Sequence, residues 1–237
     1  IAWSVTTIGG RAVDGCGSLT DVSITDLDAW CRIDFADYSA TPMYYPSIIG
    51  ASARNIYLNG EKIVSVAVPE GITEVKAYTF YGFKDLIQVT IPEGVTTIGK
   101  DAFGDCSSLT RVTFAGKSQL TTIGDSAFYC CYSLTDITIP ESVTNINERA
   151  FYCCKSLTDV YITDLEAWCR ISFTDSQAIP TLYAENIYLN GEKIVSVTVP
   201  AGITEVKAYT MCGFKILIQV TIPEGVHAIG QYAFRSC

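Results

Sequence analysis

One short pattern, Ala-Phe-x-x-Cys, returns along this chain and constrains its fold more than any other feature. Complete copies and variants together hold these pairs: Val13/Cys16, Phe80/Phe83, Phe103/Cys106, Phe128/Cys131, Phe151/Cys154, Met211/Phe214 and Phe234/Cys237. From Phe80 to Phe151 the aromatic positions are 23, 25 and 23 residues apart. Units this short bury their apolar side only against neighbouring units, so the sequence predicts a stack of repeats, a solenoid.

The residues before each pattern are typical of a short strand with one buried face. Residues 88–91 alternate polar and apolar side chains, and Pro92 then ends the strand before a Glu-Gly turn. From 101 to 106 we expect a single turn of α- or 3₁₀-helix that directs Phe103 and Cys106 into the core.

A longer duplication contains this short repeat. Residues 19–106 and 157–237 are two copies of one cassette, with about seven extra residues between Phe35 and Asn55 in the first copy. Each cassette also holds an insertion that departs from the repeat pattern.

The insertion in the second cassette predicts a short helix followed by a hairpin. Thr163 and Glu166 fit a capping box, so we expect a helix that carries Trp168 and Cys169. The Asn190-Gly191 pair lies between two apolar segments and favours a type I′ turn.

Residues 86–109 and 134–157 closely match the pattern LxxVxIPxxVxxIGxxAFxxCxxL. This pattern resembles the BspA-type leucine-rich repeat, also described as the Treponema pallidum type. The resemblance implies a secreted or surface-attached bacterial protein, in a family implicated in adhesion to host proteins or other microbes. It carries over no catalytic residue. The departures at Phe83 and Phe214, where Cys is expected, are predicted to affect packing.

We therefore predict a β-rich α/β fold, a right-handed leucine-rich-repeat solenoid with a parallel strand ladder and two helix-plus-hairpin insertions. One continuous domain is expected over 1–237, as a fragment of a longer protein, because the chain starts and stops inside repeats. The resemblance places it outside the cell or on the cell surface, although no signal peptide begins at Ile1.

Charge and hydropathy exclude some partners. With 25 acidic and 16 basic residues the net charge is -9, and no Lys/Arg cluster offsets it, so nucleic acid and anionic membranes are poor partners. No apolar run approaches the roughly 18 residues that a membrane span requires, so we expect no membrane insertion.

The sequence offers no catalytic constellation. Its one histidine, His227, lies in a predicted surface turn, and a Ser/His/Asp or Cys/His arrangement needs more than this residue. Asp26 and Asp28 are explained by helix capping. Trp30 and Trp168 could anchor a ligand or be buried by a docked helix. We predict no enzyme and no cofactor.

Ten cysteines leave three alternatives open. Five of them share the repeat's core position, where a reduced thiol acts as a small buried apolar group: Cys16, Cys106, Cys131, Cys154 and Cys237. Cys130 and Cys153 lie one repeat apart, close enough for a disulfide, or for part of a metal site. Reduced structural cysteine is the preferred interpretation.

The remaining candidate for a binding surface is formed by the outward-facing side chains of the strands. One row is rich in threonine and suits strand packing. A second row varies from unit to unit and supplies most of the candidate ligand-binding residues, to which Tyr161 of the first row is added: Asp21, Gln88, Arg111, Asp136, Asp159, Tyr161 and Gln219. The hypothesis is a non-catalytic interaction module that binds a protein or glycan. The alternative is a structural spacer that projects other domains.

Overall fold

The computed structural model describes residues 4–44 and 55–237. The chain forms a solenoid of about nine turns, built from parallel strand ladders with little helix. A regular turn holds a longer first strand, a short second strand and then the Ala-Phe-x-x-Cys segment. The predicted leucine-rich-repeat solenoid is therefore confirmed.

The longer strands on one side of the solenoid, which we call first strands, are β2 (Asp21–Ile24), β4 (Asn55–Leu58), β6 (Ser65–Ala67), β8 (Gln88–Ile91), β10 (Arg111–Phe114), β12 (Asp136–Ile139), β14 (Asp159–Ile162), β16 (Asn186–Leu189), β18 (Ser196–Thr198) and β20 (Gln219–Thr221). Of these, β4 and β16 begin the hairpins of the insertions and have no short second strand after them. The short second strands are β1 (Thr7–Ile8), β3 (Asp34–Phe35), β7 (Glu74–Val75), β9 (Thr97–Ile98), β11 (Thr122–Ile123), β13 (Asn145–Ile146), β15 (Ser172–Phe173), β19 (Glu205–Val206) and β21 (Ala228–Ile229).

The two kinds of strand form different ladders. Second strands β7, β9, β11, β13 and β15 pair in one unbroken sheet. First strands divide into four sheets, which are β2-β4 with β5 (Glu61–Lys62), β6-β8-β10, β12-β14-β16 with β17 (Glu192–Lys193), and β18-β20. Strands β10 and β12 follow each other in the stack, but no strand pairing joins them.

A column of stacked phenylalanines forms the centre of the core. Phe80, Phe103, Phe128 and Phe151 are fully buried, and neighbouring ring centroids lie 5.3, 5.4 and 5.3 Å apart. Each ring covers the next, so the column buries apolar surface continuously along the solenoid.

The buried core cysteines also form hydrogen bonds between successive turns. The thiols of Cys106, Cys131 and Cys154 donate to the carbonyl oxygens of the preceding turn's phenylalanine, at 3.1, 3.2 and 3.2 Å. The end members, Cys16 and Cys237, are exposed. The predicted core position is therefore buried in the middle of the stack and exposed in the first and last turns, although Cys237 still donates to the Met211 carbonyl at 3.1 Å.

The Ala-Phe-x-x-Cys segment is not helical, and this expectation was wrong. Residues 101–105 form consecutive turns, with Asp101 and Asp105 at positive φ of 50° and 56°. The amides of Asp101, Phe103 and Asp105 donate to carbonyls of the next turn, at Asp125, Ala127 and Tyr129. A helix would direct these donors along its own axis, so stacking between turns overrides the local helical preference.

Both insertions contain the predicted helix, α1 at Leu27–Cys31 and α2 at Leu165–Arg170. The capping residue differs from the prediction: the Asp164 side chain, rather than that of Thr163, accepts from the amide of Ala167 at 2.7 Å. Asp26 caps α1 in the same way at 3.0 Å. A carboxylate at this position is favoured further by the helix dipole.

The helix tryptophans are core residues, which rules out their use as ligand anchors. Trp30 and Trp168 are 1% exposed, and their indole N–H groups donate to the carbonyls of Thr79 and Thr210 at 2.9 and 2.7 Å. Their rings pack against Phe83 and Phe214, with centroids 5.9 and 6.1 Å apart. Phe83 and Phe214, which stand where other repeats have Cys, thus supply the aromatic ring against which each inserted tryptophan packs.

The predicted hairpin is confirmed in both cassettes. Strands β16 and β17 are antiparallel, and Asn190 and Gly191 between them have φ of 51° and 84°. Two consecutive positive φ values are those of a type I′ turn. The extra residues of the first cassette fall partly within 45–54, outside the described residues.

Candidate ligand-binding face

The side chains that alternate with core residues along the first strands point away from the core, and we call this surface the strand face. All seven candidate residues lie on it. They are distributed over four sheets, with Asp21 on β2, Gln88 and Arg111 on β8 and β10, Asp136, Asp159 and Tyr161 on β12 and β14, and Gln219 on β20. The structure therefore brings them together in groups rather than in one cluster.

The first group is a polar, exposed patch around Arg111. Arg111, Gln88 and Ser65 occupy the same register on β10, β8 and β6. The amide of Gln88 donates to the Ser65 hydroxyl at 3.2 Å, and all three side chains are exposed. Arg111 adds a cation to a row that otherwise carries neutral or acidic groups.

The second group is half-buried and aromatic. Tyr161 and Tyr188 share a register on β14 and β16, and their rings stack with centroids 4.9 Å apart and planes 15° apart. Asp136 and Asp159 are register neighbours beside them. Burial, followed by the nearby Asp159 carboxylate, raises the pKa of Tyr161, so its phenol remains protonated and able to donate.

Sequence reasoning missed four residues of this face. Asn55 and Tyr57 of β4, and Asn186 and Tyr188 of β16, continue the two rows, because the first strand of each hairpin also serves as a strand of the ladder. The signal was present in the sequence: NIYL has the same alternation as DVYI at Asp159–Ile162.

Several carboxylates of the face are hydrogen-bonded within the protein. Asp159 accepts from the Asn186 amide at 2.8 Å and from the Thr158 hydroxyl at 3.0 Å. Asp21 has the equivalent partners, Asn55 and Thr20, at 2.9 and 3.0 Å. The bond from Asn55 is the main cause of the lowered pKa of Asp21. These aspartates are fixed in place, which favours a preformed surface.

Seven of the ten cysteines are buried. All ten are free thiols, and burial raises the pKa of Cys31 and Cys169 to about 12, far from the thiolate that nucleophilic catalysis requires. Burial also raises the pKa of Cys130, whose sulfur accepts from the Tyr132 hydroxyl at 3.1 Å. Over residues 4–44 and 55–237, no group of three or more His, Cys, Asp or Glu side chains could hold a metal ion.

Two further features concern the single histidine and the length of the helices. His227 is exposed, as predicted. No helix of the described segments is long and apolar enough to cross a bilayer.

A family profile described as the BspA type leucine-rich repeat region matches residues 52–180 and 182–237, in six copies. No curated protein sequence matches significantly. Similar solved structures include the T. pallidum leucine-rich repeat protein, 27% identical over 71% of this chain and 73% of its own, with a TM-score of 0.48.

Two other similar structures are more distant. A leucine-rich cell surface protein from Faecalibacterium prausnitzii is 21% identical over 72% of this chain and 66% of its own, with a TM-score of 0.35. The pneumococcal vaccine antigen PcpA is 16% identical over 98% of this chain and 61% of its own, with a TM-score of 0.46.

Proposed function

This chain belongs to the BspA-type leucine-rich repeat family, and on that premise we propose that it is a non-catalytic interaction module of a bacterial surface protein. Its strand face binds a protein or glycan partner in an adhesion-like role, and we favour a protein. The observation that supports this most is the irregularity of that face, where exposed Arg111 in the variable row and the stacked Tyr161–Tyr188 pair in the threonine-rich row interrupt an otherwise repetitive sheet. Arg and Tyr are the residue types enriched where protein interfaces concentrate binding energy.

The location outside the cell rests on family membership, and no enzymatic activity accompanies the family profile. A rigid sheet with fixed side chains suits recognition, because little conformational entropy is lost on binding.

The test is a binding screen against purified extracellular-matrix and plasma proteins, read by biolayer interferometry. We expect Arg111→Glu and Tyr161→Ala to weaken binding at least about tenfold, which is about 1.4 kcal/mol. Lys155→Glu makes the same charge change on an exposed residue outside the strand face and is the matched control. Equal loss in the control, or unchanged binding in both strand-face variants, would contradict the proposal.

The alternative is a spacer that holds other domains away from the cell. The hydrogen bonds to the Asp21 and Asp159 carboxylates are also compatible with a spacer, since they give these side chains a structural role within the solenoid. The near-repetition of the two cassettes favours it, because spacers lengthen by duplication. A full-length protein with a cell-surface anchor on one side of this chain and an adhesin on the other, together with no binding in the screen, would favour the spacer.

A further inference from the structure

The turn that follows β10 is wider than its neighbours. It contains the 25-residue interval of the repeat, and its extra residues fall in the loop 115–119. The loop is fastened to the preceding turn: the amide of Ala115 donates to the Ile91 carbonyl at 2.9 Å, and that of Gln119 to the Glu93 carbonyl at 3.0 Å. Gly116 has a φ of 56° and lies so close to Glu93 that a Cβ would clash with it.

On its other side the loop leaves open space. A cleft of about 380 Å³ lies at the ends of β10, β12 and β14, next to the unpaired strands β10 and β12. Phe114 and Pro140 give it an apolar part, and the hydroxyl-bearing residues Ser118, Thr138 and Thr163 also line it.

A second cleft of about 420 Å³ continues from the first toward α2. The two share Lys117, Ser118 and Glu141, and the second is also lined by Glu166 and Arg170. We call the pair the loop groove. Each volume lies within the range of about 300–1,000 Å³ that small-ligand pockets occupy.

The loop groove carries two cationic side chains, Lys117 and Arg170, and three carboxylates, Glu141, Asp164 and Glu166, so its net charge is -1. Lys117 faces Glu141 at 3.5 Å, Arg170 pairs with Glu166, and the Asp164 carboxylate accepts from a helix amide. The net negative charge disfavours a polyanion, and a single excess carboxylate gives a polycation little to bind, so an uncharged ligand fits this groove best.

The lining also disfavours a protein partner. Lys, Glu, Asp, Ser and Ala are depleted at the centres of protein interfaces, and these types make up most of the second cleft. A peptide could not add a strand beside β14, since β12 and β16 already pair with both of its edges. Nor could it enter between β10 and β12, because their Cα atoms approach within 8 Å and an inserted strand needs roughly twice the 4.8 Å strand spacing.

We propose that the loop groove binds a neutral oligosaccharide. Ionised side chains form charge-assisted hydrogen bonds with hydroxyl groups, and the Phe114–Pro140 surface can cover the C–H face of a sugar ring. This site lies at the ends of the strands and meets the strand face only at Thr138, so it is independent of the proposed protein-binding role.

The test uses the whole chain on a glycan microarray that carries neutral, sialylated and sulfated oligosaccharides, followed by calorimetry with the strongest ligands. We expect selective binding of neutral glycans. Thr163→Trp fills the first cleft from an exposed position and is expected to weaken that binding at least tenfold.

Thr25→Trp is the matched control, because Thr25 is the equivalent exposed residue before α1 and lines neither cleft. Circular dichroism and thermal unfolding verify that both variants fold. No glycan binding, binding of acidic glycans alone, or equal loss in both variants would each overturn the proposal. Loss in Arg111→Glu with full binding in Thr163→Trp would assign the glycan to the strand face instead.

Discussion

At the residue scale, the periodic pattern predicts the core well because each core position is used again in every turn. Phe103 and Cys106 are buried as their spacing indicates. A single sequence does not show which residue each core side chain contacts. The thiol of Cys106 donates to the Phe80 carbonyl one turn away, and Phe83 packs against Trp30, which lies 53 positions earlier. Such contacts depend on how turns stack, which no local pattern encodes.

One carboxyl group gives a residue-scale prediction about pH. Burial, and after it the neighbouring Asp105 and Asp125 carboxylates, raises the pKa of Asp101 to about 6, while Lys100 opposes the shift. Because the folded-state pKa lies above the unfolded value of about 3.9, the folded state holds the proton more tightly. This group therefore costs stability above pH 6, and the cost disappears as the pH falls toward 4.

Asp101→Asn should remove that cost. We expect it to raise the free energy of unfolding by about 1 kcal/mol at pH 7, after discounting for partial exposure, and to change little at pH 4. Asparagine tolerates the φ of 50° at this position. Urea unfolding at both pH values measures the effect, with exposed Glu70→Gln as control. Equal differences from the wild type at pH 4 and pH 7 would contradict the assignment.

At the element scale, strands and hairpins follow from alternation and from Asn-Gly, while the turn segments do not. Residues 101–105 have a helix-compatible sequence, yet their amides bond to the next turn. The break between β10 and β12 was also missed, although the 25-residue interval marked the turn concerned. On the candidate face, the two rows were predicted and the hairpin strands β4 and β16 were left out.

The cap of α2 gives a prediction that separates two adjacent residues. Asp164→Ala should lower the free energy of unfolding by about 1 kcal/mol, because an amide at the helix start loses its acceptor. Thr163→Ala, on an exposed side chain without a capping bond, should change it by less than about 0.5 kcal/mol. Urea unfolding of the two variants measures both. A larger loss in Thr163→Ala would restore the capping box that the sequence suggested.

At the scale of the whole molecule, stacked turns produce long, rigid surfaces. The repeated second-strand ladder and the phenylalanine column fix the spacing of the turns. Variation is then confined to the strand face, the insertions and the loop groove. This division explains why the sequence predicts the architecture so much better than the ligand: the fold depends on what repeats, and recognition depends on what does not.

The central claim is that the strand face touches the partner, and site-specific photo-crosslinking tests it most directly. A photoreactive phenylalanine analogue is placed at Thr113, an exposed strand-face neighbour of Arg111 on β10, or at Lys155 outside the face. Each protein is irradiated with the partner found in the screen. We expect a covalent adduct from position 113 and none from position 155. An adduct from 155 alone would contradict it.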